Sequence, residues 1–134
     1  MYLLDTVTVS QSLSRRADAK ALAWIGKQKP AHLFLSVVTI AEIRRGAVQV
    51  AKRDPKFAAR IDEWLDITIT AFADRIIPIG VSVARIWGEL QATAGHGGED
   101  IMIAATALDR NFTVITRNAS DFTRLGIKVE NPFG

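Results

Sequence analysis

Asp100-Ile101-Met102-Ile103-Ala104-Ala105-Thr106-Ala107-Leu108 has the apolar period of a helix, and soon after it comes the short apolar run Thr113-Val114-Ile115. Thr116-Arg117-Asn118-Ala119-Ser120-Asp121-Phe122 follows directly. A helix leading into a brief, continuous apolar run is the repeating unit of an α/β domain, whose parallel strands are buried on both faces. At about 100° per residue, Asp100 falls within the stripe of Ile103, Ala104, Ala107 and Leu108, with Met102, Thr106 and Asp109 opposite. The expectation is a carboxylate aimed into a core. A buried carboxylate needs N–H donors, a cationic side chain or a metal ion, or else it takes up a proton.

The same alternation runs through the rest of the chain. Residues 2–4, 33–35, 76–79, 113–115 and 127–129 are short apolar runs that suit buried strands. Longer helical patterns lie between them at 17–29, 38–52, 56–73, 81–94 and 100–110, punctuated by Pro30, Asp54-Pro55 and the glycine-rich loop Gly95-His96-Gly97-Gly98. The reading is a three-layer α/β/α sandwich around a central, mostly parallel sheet of about five strands. Residues 1–134 form a single domain in this reading, and ligands of such sheets bind beyond the carboxyl ends of the strands.

Composition narrows the chemistry. The 134 residues are 49% hydrophobic and 23% charged, enough for one ordinary core. With no cysteine there is no disulfide framework, thiolate metal site or thiol nucleophile, and His32 and His96 are too few for a histidine-rich zinc site. The start of the chain lacks the basic and apolar segments of a signal peptide, and no apolar run reaches membrane-spanning length, so a cytoplasmic protein is expected. A net charge of +3 mildly favours an anionic partner.

Four acids fall at one edge of the expected sheet. Asp5 ends the first strand, Glu42 lies early in the helix after the second, Asp100 opens a helix, and Asp121 lies in the turn after the fourth strand. Oxygen-only carboxylate clusters suit hard divalent cations. Each acid also has a plain structural use. Asp100 and Asp121 suit helix caps, and Asp5 suits a strand end. Glu42 lies off the stripe of Ile40, Ile43, Ala47 and Val50, which makes it a solvated residue by periodicity alone.

These segments also carry a resemblance. Leu3-Leu4-Asp5-Thr6, Ser36-Val37-Val38-Thr39-Ile40-Ala41-Glu42-Ile43-Arg44-Arg45-Gly46, residues 100–107 and Thr116-Arg117-Asn118-Ala119-Ser120-Asp121-Phe122 stand in family order, and Asn131-Pro132-Phe133 closes the chain. Over essentially its whole length the chain resembles the PIN-domain ribonucleases, and among them the VapC-type toxins of bacterial toxin–antitoxin pairs.

The resemblance implies endonucleolytic cleavage of RNA with Mg2+ or Mn2+. It makes Asp5, Glu42, Asp100 and Asp121 the catalytic acids, with Asp5, Asp100 and Asp121 as metal ligands. Thr6, Thr116 and Asn118 become the polar residues that orient them, with Asn118 competing with Asp121 for the fourth position. One departure stands out: where close relatives read Asp-Thr-Asn, this chain reads Asp5-Thr6-Val7. The resemblance further implies a VapB-like antitoxin, held by the helical pair 38–52 and 56–73, and a homodimer or larger assembly. Val48, Ala51, Phe57, Ile61, Trp64 and Leu65 are that pair's apolar positions.

Arg15, Arg16, Lys20, Arg44, Arg45, Lys52, Arg53 and Arg117 are candidate phosphate contacts, Arg45 and Arg117 foremost as neighbours of the acids. Either of those two could pair with a carboxylate instead. Trp24, Trp64 and Trp87 read as core or subunit-contact residues, His32 as structural, and His96 as a neighbour of Asp100. Two other readings compete with the ribonuclease. A phospho-acceptor receiver lacks its adjacent acids after the first strand, since Thr6 follows Asp5. A PIN fold that binds RNA or protein with little or no cutting is kept open by Val7.

Overall fold

Five short parallel strands carry the architecture: β1 (Tyr2–Leu4), β2 (Leu33–Ser36), β3 (Ile76–Ile77), β4 (Thr113–Ile115) and β5 (Val129–Glu130), in the spatial order β3-β2-β1-β4-β5. In register, Leu3 stands between Phe34 of β2 and Val114 of β4. The structure, a computed structural model, describes residues 1–95 and 98–134. His96 and Gly97, and with them the expectation that His96 neighbours Asp100, lie outside the described residues.

Successive strand residues point to opposite faces, and Leu3 and Leu4 divide the interior accordingly. Leu3 and Val114 pack with α5 (Val81–Ala94) and α6 (Glu99–Arg110), through Val83, Leu90, Ile103 and Ala104. Leu4 and Ile115 pack on the other side with α3 (Val37–Ala51) and α4 (Pro55–Phe72), through Ile43, Ala47, Ile61 and Leu65. The result is the expected three-layer α/β/α sandwich. No described helix is long and apolar enough to cross a membrane.

Differences from the expected elements have local causes. β3 stops at Ile77 because Pro78 has no N–H to donate. Ile127 is buried but belongs to a helix ending: its N–H donates to the Phe122 carbonyl past Gly126, whose φ of 78° suits glycine. Thr6–Val9 forms a short helix, α1, that periodicity did not reveal, because alternating threonine and valine are poor helix formers. The expected helix at 17–29 is α2 (Ala19–Lys27), and Asp121 lies not in a turn but in α7 (Ala119–Thr123).

The apolar surplus on α3 and α4 is smaller than the sequence suggested. Ile61 and Leu65 are spent in the core and Phe57 and Trp64 are half-buried, which leaves Val48 and Ala51 exposed, along with Val37, Ile67 and Ile69 of the same helices. The tryptophans are structural: Trp24 Nε1 donates to Glu130 and Trp64 Nε1 to Ser12, while Trp87 packs on the α5/α6 core.

Candidate functional site

The chain reaches β1, moves outward through β2 and β3, then returns to the other side of β1 as β4. That reversal opens a crevice at the carboxyl ends of β1 and β4. Asp5 follows β1 and Thr116 follows β4, so the sheet itself puts them side by side.

Asp5 is buried, 4% exposed, and its charge is met on both oxygens. Oδ1 accepts the Thr8 N–H at 2.9 Å and the Thr8 hydroxyl at 2.7 Å, and Oδ2 accepts the Thr116 hydroxyl at 2.6 Å. Three charge-assisted hydrogen bonds offset the desolvation of the carboxylate. They occupy three of roughly four acceptor positions and leave one open. Thr116 also accepts the Asn118 N–H at 2.9 Å, which fixes the start of α7. Thr8 was missed in the sequence; an aspartate three residues before a threonine is a helix N-cap spacing that could have revealed it.

Glu42 is half-buried rather than fully solvated. Its α3 face lies against α1, where the Thr6 hydroxyl donates to Oε1 at 2.8 Å and lies 3.1 Å from the Thr39 hydroxyl. Thr6 has one proton to give, and the carboxylate is its stronger acceptor. Burial pushes the Glu42 carboxyl above its ordinary value; the Thr6 hydrogen bond opposes that, and the negative charges of Glu99 and Asp100 add to it. The helical wheel failed here because it registers only the stripe facing the sheet, whereas α3 also has a neighbour on its flank.

Asp100 is turned outward, a correction to the expectation of a core-facing carboxylate. Helical Cα–Cβ bonds lean toward the N-terminus, so a side chain in the first turn projects past the helix end. The stripe itself is also wrong at its ends, since Thr106 is fully buried while Leu108 is exposed. Thus α6 is enclosed on nearly all sides, and Asp100 stands at the crevice mouth.

Glu99, which the sequence reading passed over, is a fifth acid. Arg45 grips it with both terminal nitrogens, Nη2 at 3.1 Å from Oε2, and that hydrogen bond holds the Glu99 carboxyl below its ordinary value. Arg45 therefore joins α3 to α6 across the crevice. Acids in the first turn also complement the helix dipole, the signal that could have found Glu99.

The remaining expected residues lie around this centre. Asp100 and Asp121 line one hollow of about 370 Å³ together with Thr93, Ala94, Ile101, Arg124 and Leu125. Asp121 is exposed, with Arg124 Nη2 3.4 Å away. Asn118 occupies the cap position of α7, but its side chain makes no capping bond. Arg117 stacks over the Phe133 ring at 4.3 Å and forms no ion pair among the described residues. Val7 is exposed on α1, next to Thr6.

The donors are all carboxylate and hydroxyl oxygens, the set that Mg2+ or Mn2+ prefers. Among the described residues no three acids stand close enough to enclose an ion by themselves. The arrangement fits an ion that keeps several waters and takes few protein ligands, as Mg2+ does. The negative charges of Glu99 and Asp100 disfavour an ionised Glu42, and a cation placed among them would relieve that.

With this geometry in view, comparison with known proteins is specific. A PIN-domain family model matches residues 2–128, and the receiver reading falls with that match. VapC ribonuclease Y4jK of Sinorhizobium fredii is 34% identical, over 99% of this chain and 98% of its own. Toxin FitB of Neisseria gonorrhoeae is 30% identical, over 99% of both. The crystal structure of FitAcB from Neisseria gonorrhoeae superposes with a TM-score of 0.87 at 31% identity, covering 98% of each chain. The chain belongs to the PIN-domain family, in its VapC-type branch.

Proposed function

We propose that this protein is a divalent-metal-dependent endoribonuclease and the toxin of a VapBC-type pair, acting in the cytoplasm. The observation that carries the reading is Asp5: a buried carboxylate clamped by Thr8 and Thr116 at the carboxyl ends of β1 and β4, where the sheet order reverses. The ribonuclease and toxin names of the relatives support it.

Asp5 and Asp100 would hold Mg2+ or Mn2+, with Glu42 completing the site and Asp121 serving a second ion or its waters. A bound ion would supply a water of lowered pKa and stabilise charge on the phosphodiester. The chain's own part is positional. Thr8 and Thr116 fix both oxygens of Asp5, Thr6 orients Glu42, and Arg45 restrains Glu99 from adding its full charge to the crevice. RNA is the substrate in this reading, with Arg45 and Arg117 as phosphate contacts beside the acids. A VapB-like antitoxin and a homodimer complete the assembly, and relatives seen as a FitAB complex on DNA support such a partner.

Purified protein incubated with a mixed cellular RNA pool tests the reading, with Mg2+ or Mn2+ against EDTA and against Asp100→Asn. Cutting that requires both the metal and Asp100 is expected. Val7 favours a second reading, a PIN module that binds RNA or protein without turnover. A folded, antitoxin-free protein that binds RNA but leaves it intact would establish that one.

A further inference from the structure

Away from the acids, two arginines flank one aromatic ring and a third lines the hollow beside it. The guanidinium groups of Arg15 and Arg60 each lie 5.9 Å from the centroid of Phe57, on opposite elements: the loop before α2, and α4. Arg15 and Arg16 line a hollow of about 310 Å³ with Ser14, Asp54 and Phe57. Its one acid, Asp54, is engaged in capping α4, accepting the Phe57 N–H at 3.1 Å. Exposed Lys52, Arg53 and Lys56 occupy the adjoining turn.

Clustering sets these arginines apart, since Arg53, Arg85 and Arg117 also lack an ion pair among the described residues. Arg44, Arg45, Arg110 and Arg124 all face carboxylates, and Arg75 donates to backbone carbonyls. Among the described residues Arg15, Arg16 and Arg60 have no carboxylate partner. Guanidinium groups ordered by a ring but left without a counter-ion are ready for an external anion with several charges.

Their position relative to the acids suggests which anion. Glu42 and the end of α3 at Ala51 are roughly 14 Å apart along the helix, at about 1.5 Å per residue. That is about four nucleotides of a stacked strand at about 3.4 Å each. We propose that the Arg15/Arg16/Arg60 cluster around Phe57 holds the backbone phosphates of single-stranded RNA several nucleotides from the bond at the acid crevice. This rests on the ribonuclease reading and adds a second, non-catalytic contact that sets substrate length. An oligomer long enough to reach both places gains from both, whereas a shorter one meets only the crevice.

The test measures binding of a fluorescein-labelled single-stranded RNA about twelve nucleotides long, over a range of salt, in the Asp100→Asn background with Mg2+. The exposed double substitution Arg15→Gln/Arg16→Gln should weaken binding roughly tenfold near physiological salt and reduce the log–log salt slope by about 1.4, since each lost phosphate contact on a single strand accounts for about 0.7. Arg60→Gln should reduce it by about 0.7. Arg85→Gln, on α5 and likewise without a carboxylate partner, should change neither. Equal slopes in wild type and the double variant, or an equal loss in Arg85→Gln, overturn the proposal while leaving an RNA-cutting wild type intact as a ribonuclease. If the double variant keeps RNA binding but loses affinity for a polyglutamate peptide, the cluster is a protein-docking surface and the proposal fails. A wild type that neither cuts nor binds RNA removes the ribonuclease reading and this contact together.

Discussion

Thr116 Oγ1 donates to Asp5 Oδ2 across 2.6 Å, and the two residues are 111 positions apart in sequence. The bond ties the end of β4 to the end of β1, so it both closes the fold and fixes a carboxylate that the proposed chemistry needs.

Thr116→Val keeps the shape of the side chain and removes that donor, together with the acceptor of the Asn118 N–H. Leaving a buried carboxylate oxygen short of a partner should cost about 1–3 kcal/mol, read from chemical denaturation. RNA cleavage should fall about 10- to 100-fold, the usual effect of losing a group that orients a metal ligand. A stable, fully active Thr116→Val protein would show that Thr8 alone suffices.

Glu42 gives a pH prediction whose sign follows from its raised carboxyl. The folded protein binds the proton more tightly than the unfolded chain, so this group favours folding most below its unfolded value, 4.5, and that advantage is lost as pH rises toward the raised folded value. Without divalent ions, Glu42→Gln should therefore match wild type in acid and become the more stable of the two toward neutral pH. Added Mg2+ should narrow the gap. Denaturation midpoints across that pH range, with and without Mg2+, provide the check.

The Arg45–Glu99 pair predicts opposite shifts in metal demand. Arg45→Ala removes a cation from the crevice and should lower the Mg2+ concentration for half-maximal cleavage, whereas Glu99→Ala removes a negative charge and should raise it. Because both side chains are partly exposed, solvent screening should keep their coupling in a double-mutant cycle small. A Mg2+ titration that moves the same way in both variants would contradict this electrostatic account.

Val7→Asn restores a polar side chain at an exposed position beside Thr6. Stability should change by less than about 0.5 kcal/mol, while cleavage should rise several-fold if the missing amide limits positioning. Parallel melting curves and cleavage rates separate the two effects. Unchanged cleavage would mean that Val7 is no handicap.

The layered fold was legible because strands buried on both faces leave short apolar runs, as at β1 and β4, and because prolines and glycines punctuate the helices. What the pattern could not show was direction. The wheel found α6 but sent Asp100 inward, since a wheel ignores the tilt of side chains at a helix's first turn. It sent Glu42 to solvent for lack of any record that α1 lies against that flank of α3. Neither α1 nor Thr8 carried a periodic signal, and Glu99 stood unnoticed beside a more conspicuous aspartate. Contacts between elements distant in sequence decided Glu42 and Glu99, whereas local geometry decided Asp100 and Thr8.

Asp5 accepts the Thr8 N–H at the start of α1, so the same carboxylate begins a helix and serves the proposed reaction. Asp100 and Asp121 are exposed and line an open hollow at the surface, whereas Asp5 is buried. The acids consequently differ in how they can be lost. In the proposed reading, substitution of the exposed Asp100 or Asp121 silences a protein that still folds, whereas substitution of the buried Asp5 costs stability as well. Silenced copies that persist should therefore keep Asp5 and bear their lesions at the mouth of the crevice.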